Sequence, residues 1–204
     1  MNAWLSGRFA KPLVFLSALG PVIWLIGAAA WDSLGANPAD AIVRATGDWT
    51  LRMLCLVLAI TPLRKIAGLP VLARFRRMVG LFVYFYAVTH VLSYAWFDMG
   101  LDLADIAKDV GKRPFILVGF LALLFLTPLA LTSFNRAIRV MGAKRWQRLH
   151  KLVYGVAFLA LLHFFWMRSG KNNFAEVWIY AAVLGGLLGW RWQQFLEKKS
   201  ANGE

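Results

Sequence analysis

The sequence predicts an all-α fold: a polytopic membrane protein, a bundle of six transmembrane helices with both termini cytoplasmic. Three observations carry this. The chain is 60% hydrophobic, with 10 Trp and 15 Phe in 204 residues, whereas a soluble domain is nearer about 45–50% apolar. The apolar residues gather into stretches approaching the roughly 20 residues that cross a hydrocarbon core of about 30 Å. The charges alternate in sign between the two sets of connections.

The stretches run at about 12–31, 48–63, 78–97, 113–131, 149–167 and 175–194. The first is longer than the apolar core of a signal peptide and is interrupted by Trp and Pro, so it reads as a retained helix. The second is short and contains Arg52, whose stem is expected to snorkel toward the surface. Pro62 and Pro128 lie near helix ends and are expected to kink or stop those helices. No stretch shows the two-residue alternation of a membrane barrel. One cysteine, Cys55, cannot form an internal disulfide and reads as core packing. Covalent c-type haem is excluded because CxxCH is absent.

The net charge of +13 would suggest nucleic acid if it were spread evenly. It is not. Segments 64–77 and 133–148 each carry five basic residues and no acid, and Arg8, Lys11, Arg191, Lys198 and Lys199 lie near the termini. The other connections hold Asp32, Asp40 and Asp48, then Asp98, Asp102, Asp105 and Asp109 beside Lys108, Lys112 and Arg113. Basic residues collect on the cytoplasmic side of membrane proteins. Both termini then lie inside, which six spans require, and the basic excess suits membrane lipid with no need for nucleic acid. Trp31, Trp49, Trp96, Trp166 and Trp178 fall near outer ends, and Trp4, Trp146, Trp190 and Trp192 near inner ends, the interfacial places an indole prefers.

The chain has three histidines, His90, His150 and His163, all in proposed spans. His90 lies 13 residues beyond Arg77, and His163 lies 13 residues beyond His150. Arg77 and His150 both mark the inner boundary, so His90 and His163 are expected at one depth on two parallel helices. Two level imidazoles can hold a planar metal macrocycle from both faces, as in a bis-His b-type haem, with no covalent link. Hydrogen bonding to a neighbouring helix is the other reading of an intramembrane His. His150 sits about 20 Å lower. It could serve a second haem, bind lipid headgroup or close a helix start. Thirteen steps of about 100° leave His150 and His163 about 140° apart around one ideal helix, which strains two haems on one seam, and Gly155 is expected to permit closer approach. No Asp or Glu falls in mid-span, which argues against an ion or proton pump, and the histidines do not offer the three or four close ligands of a zinc site.

Segments 76–94 (RRMVGLFVYFYAVTHVLSY), 111–119 (GKRPFILVG), 142–154 (GAKRWQRLHKLVY) and 60–65 (ITPLRK) closely resemble the MsrQ family, within the ferric reductase-like transmembrane group. The resemblance implies one domain over 1–204: the haem-binding inner-membrane subunit of a bacterial methionine sulfoxide reductase system. It implies electron transfer through haem b, one or two groups, with His90 and His163 on the outer iron and His150 on a possible inner iron. The group typically carries four histidines, and here Arg76 or Arg77 stands where the inner histidine of the third helix would be. That leaves His150 alone, with an unusual partner, or without an inner haem. The resemblance also implies FMN, with no residue named for it. No Gly-rich dinucleotide fingerprint is present, so electrons are expected from another protein or carrier; the resemblance implies the quinone pool or a cytosolic flavin reductase as donor. The acceptor would be a periplasmic molybdopterin enzyme, MsrP, paired with this chain as a heterodimer and repairing oxidised periplasmic proteins. The chain would be an electron conduit with no catalytic residue of its own. A haem or metal permease and a membrane anchor for a periplasmic enzyme are the alternatives.

Residues 98–113 carry Asp98, Asp102, Asp105 and Asp109 on one helical stripe and Met99, Leu103, Ile106 and Val110 on another. This predicts a helix lying on the outer membrane face. Its acids would either orient the partner or simply solvate the helix.

Overall fold

The computed structural model describes residues 5–170 and 172–201; Trp4 lies outside them. Every regular element among the described residues is helical: α1 (Ala10–Ala30), α2 (Pro38–Ile66), a 3-10 turn (Pro70–Arg74), α3 (Arg76–Phe97), α4 (Leu103–Lys112), α5 (Pro114–Leu131), α6 (Asn135–Met141), α7 (Ala143–His150), α8 (Leu152–Ser169) and α9 (Ala175–Ala201).

Four rods are long and apolar enough to cross a membrane: α1, α3, α5, and α7 with α8 taken together as Ala143–Ser169. Only Lys151 separates α7 from α8, and its φ of −69° and ψ of −18° remain right-handed helical, so the two run almost end to end. The expected second and sixth spans are helices too, of 29 and 27 residues. They do not reach the same apolarity, because Asp48 and Arg52 interrupt α2 while Glu176 and Arg191 bound the apolar part of α9.

Local chemistry explains where the helices begin. α2 starts at Pro38, ten residues before the expected apolar edge at 48, because Asn37 caps it: its Oδ1 accepts from the Asp40 N–H at 3.1 Å, with Pro38 in the first turn. Asp102 does the same for α4, its Oδ1 accepting from Ala104 and Asp105 N–H at 2.8 and 3.1 Å. Gly142, with φ at 77°, separates α6 from α7. Pro62 and Pro128 lie inside α2 and α5, within about a turn of their ends.

Two helix pairs make the frame. α2 packs along α3 and α5 along α8, α3 meets α5 between them, and α9 rests on both α8 and α2. Tyr86 is fully buried in the middle, stacked on Trp49 and donating its hydroxyl to the Ala18 carbonyl at 2.7 Å, which ties α1 to α3. Cys55 is half-buried against this core. Arg52 lies over the Trp49 ring at 4.8 Å and donates Nε–H to the Tyr180 hydroxyl at 3.3 Å. Trp24, Phe158 and Ile179 are 66%, 65% and 61% exposed. Large apolar side chains turned outward on several helices are what a lipid-facing surface presents.

Candidate functional site

A cavity of about 570 Å³ opens between the two helix pairs. α3 supplies His90 to its wall and α8 supplies His163. The structure brings the two rings together: their centroids are 6.2 Å apart, with the ring planes at 74°. Two metal–imidazole bonds of about 2.0 Å on opposite sides of one ion, with two ring radii of about 1.1 Å, give a centroid separation of about 6.2 Å. The spacing therefore fits one metal between two axial imidazoles.

Each imidazole is held in the same way. His90 Nδ1 lies 2.9 Å from the Val43 carbonyl, with the Thr46 hydroxyl at 3.5 Å, and His163 Nδ1 lies 2.6 Å from the Phe115 carbonyl. A carbonyl oxygen only accepts, so each Nδ1 carries the proton and each Nε2 keeps its lone pair. That is the tautomer a metal binds, and the carbonyl behind Nδ1 makes Nε2 more basic.

Two glycines complete the cradle, and sequence reasoning did not single them out. A Cβ on Gly47 would stand 3.1 Å from His90 Cε1, and one on Gly119 would stand 2.8 Å from His163 Nδ1. Each glycine lies four residues after the carbonyl that holds the ring, Val43 before Gly47 and Phe115 before Gly119. One helical turn thus both grips the imidazole and clears room for it. The pattern occurs once in the α2–α3 pair and once in the α5–α8 pair. Gly155, by contrast, has open space where a Cβ would stand, so the expected close approach there is not made by this chain.

His150 stands apart from the cavity. It ends α7, its ring stacked on Trp146 at 3.8 Å and its Nδ1 3.0 Å from the Trp146 carbonyl. Its Nε2 is buried with no hydrogen-bond partner among the described residues. Arg77, one of the two arginines in place of a fourth histidine, donates to Asn135 Oδ1 at 2.7 Å. No group of three or more His, Cys, Asp or Glu among the described residues is arranged to hold a bare metal ion.

α4 covers the mouth of the cavity. Leu103, Ile106 and Val110, from its apolar stripe, line the cavity. The acidic stripe splits. Asp102 and Asp105 stay exposed, whereas the Asp109 side chain is only 12% exposed. It accepts from the Tyr94 hydroxyl at 2.6 Å through Oδ2 and pairs with Arg113 Nε at 2.9 Å through Oδ1. Asp109 is thus a clasp that ties α4 to α3 and holds the Arg113 junction that leads into α5.

Residues 46–162 match the family described as ferric reductase like transmembrane component, a span that includes His90 and His150 and ends one residue before His163. A protein-methionine-sulfoxide reductase heme-binding subunit MsrQ from Polaromonas naphthalenivorans is 67% identical over 198 residues, covering 94% of this chain and 90% of the relative. Its namesake from Ralstonia nicotianae is 46% identical over 202 residues, covering 97% and 93%. The magnetosome protein MamZ of Magnetospirillum gryphiswaldense is 44% identical over 191 residues, which is 91% of this chain but 29% of that protein. No solved structure matches. With identity this high along nearly its whole length, the chain belongs to the MsrQ family of ferric reductase-like transmembrane components.

Proposed function

We propose that the chain seats a b-type haem between His90 and His163 and carries electrons across the bacterial inner membrane, as the haem-binding subunit of a methionine sulfoxide reductase system. One observation carries the reading: two imidazoles 6.2 Å apart, each with Nδ1 facing a main-chain carbonyl, on the wall of one cavity. Its volume, about 570 Å³, is of the size that holds a cofactor.

The chain's own residues perform three tasks. His90 and His163 would offer their Nε2 lone pairs as the two axial ligands, with Val43 and Phe115 holding each Nδ1. Leu51, Leu54, Val83 and Leu126 give the cavity apolar walls, which keep water out and set the local dielectric. Leu103, Ile106 and Val110 on α4 shield the mouth. Bound haem iron would supply one-electron redox chemistry, its potential tuned by this axial pair and by burial. The chain contributes no catalytic residue to sulfoxide reduction. Electrons enter from the quinone pool or a cytosolic flavin reductase and leave to a periplasmic MsrP. Purified protein from haem-replete cells is expected to give sharp reduced-minus-oxidised bands that appear with dithionite and reverse on reoxidation. A colourless, folded preparation would identify a mere anchor, and haem that does not cycle would identify a permease.

The same proposal places α1, α2, α3, α5, α7–α8 and α9 across the membrane with both termini cytoplasmic. The end of α2, the 3-10 turn and the start of α3 hold the basic segment 64–77, and α6 with α7 hold most of 133–148. A green fluorescent protein fused to the C-terminus is expected to fluoresce, because it matures in the cytoplasm. A dark C-terminal fusion that becomes active when replaced by alkaline phosphatase would reverse the orientation.

A further inference from the structure

The cavity wall carries two cations besides the histidines. Arg44 comes from α2 and Arg113 from the junction between α4 and α5. Both are fixed in the same manner. Arg44 donates Nε–H to Asp40 at 2.6 Å, and Arg113 Nε pairs with Asp109 at 2.9 Å. Nε is one of three nitrogens of a guanidinium, whose Nη groups can meet a further acceptor in the planar fork geometry that suits a carboxylate. The Arg113 anchor is built deep: Asp109 is nearly buried, and its other oxygen is taken by Tyr94.

Carboxylates crowd the same wall, since Asp40, Asp48 and Asp98 also line it. Partial burial, with Asp40 next in effect, holds the Asp98 carboxyl above its ordinary range, while Arg113 opposes the rise. A ligand that brings two more negative charges to this rim would be repelled unless fixed cations met them. A b-type haem is such a ligand, with an apolar plate, an iron and two carboxylates.

We propose that Arg44 and Arg113 pair with the two haem carboxylates and so fix the plate's orientation in its seat, an inference that rests on the haem reading above. They are positioning residues: His90 and His163 hold the iron, and the arginines select how the plate lies about that axis.

The test is the rate at which purified protein yields its haem to excess apomyoglobin. Apoprotein from haem-starved cells is loaded either with haem or with haem dimethyl ester, whose carboxylates are blocked. The unmutated chain should lose the ester at least about tenfold faster than haem, the factor expected for losing a charge-assisted pair. The R44Q/R113Q variant should lose haem at least about tenfold faster than the unmutated chain, and should lose the ester at the unmutated rate. Equal loss of haem and ester from the unmutated chain would overturn the proposal, and that arm needs no variant to fold. So would a double variant that loses haem and ester faster by the same factor, since the arginines would then be merely structural. His163→Ala separates the two levels: haem retained in that variant removes the seat itself, whereas failure at the rim leaves the dependence on His163 intact.

Discussion

Replacing either His90 or His163 with Ala should abolish haem binding in the cavity, while His150→Ala should leave that haem in place. The reason lies in the pairing. In the proposed seat each imidazole is half of one axial set, and the two rings meet at 6.2 Å across the cavity. Removing one leaves an apolar gap on one face, with the Val43 or Phe115 carbonyl deprived of its Nδ1–H donor. A single remaining imidazole cannot produce the sharp bis-His bands. His150 does not line the cavity, and its ring is stacked on Trp146 at 3.8 Å instead. The measurement is haem per protein by pyridine haemochrome, with the reduced spectrum of each purified variant. Full and equal haem loading in all three variants would refute the assignment of His90 and His163.

The sequence carried the level of the two histidines but not their cradle, and the difference is physical. Depth along a rod is linear in residue number, so the equal 13-residue intervals from Arg77 to His90 and from His150 to His163 translate directly into position. Rotation is not so simple. The angle between His150 and His163 strained a reading in which both served haems on one seam. In the structure His150 ends α7, one residue before the helix break at Lys151, and turns to Trp146. The glycines left no periodic mark, because a helical Gly facing a ring resembles any other small residue. What could have found them is a repeat: Gly47 precedes His90 by 43 residues and Gly119 precedes His163 by 44. Helix edges followed caps rather than hydropathy, which is why α2 begins at Pro38. The acidic stripe of α4 was legible as a stripe. That Asp109 turns inward was not, because the hydroxyl that draws it in, Tyr94, comes from α3, whereas Arg113 is only the next turn of its own helix.

Gly119→Ala should remove most of the haem from a chain that still folds. A Cβ there would lie 2.8 Å from His163 Nδ1 and 2.9 Å from Cε1, closer than real Cβ contacts come, so one of the two must yield. The helix backbone is held by its own hydrogen bonds, and α5 packs along α8 over its length. The imidazole is therefore the part that moves, and moving it breaks the 2.6 Å contact to the Phe115 carbonyl and alters its 6.2 Å spacing from the His90 ring. A ligand misplaced by about 1 Å is a severe loss for a preorganised site, and haem content should fall about tenfold or more. Gly47→Ala is tight by a smaller margin, at 3.1 Å from His90 Cε1, and should weaken haem retention without eliminating it. Gly155→Ala is the control, since nothing stands within 4 Å of its added Cβ and Ala favours the helix; its haem content should equal that of the unmutated chain. If Gly119→Ala retained full haem with unshifted bands, close seating of His163 on α5 would play no part in holding the cofactor. The paired carbonyl-and-glycine turns would then be a feature of helix packing alone.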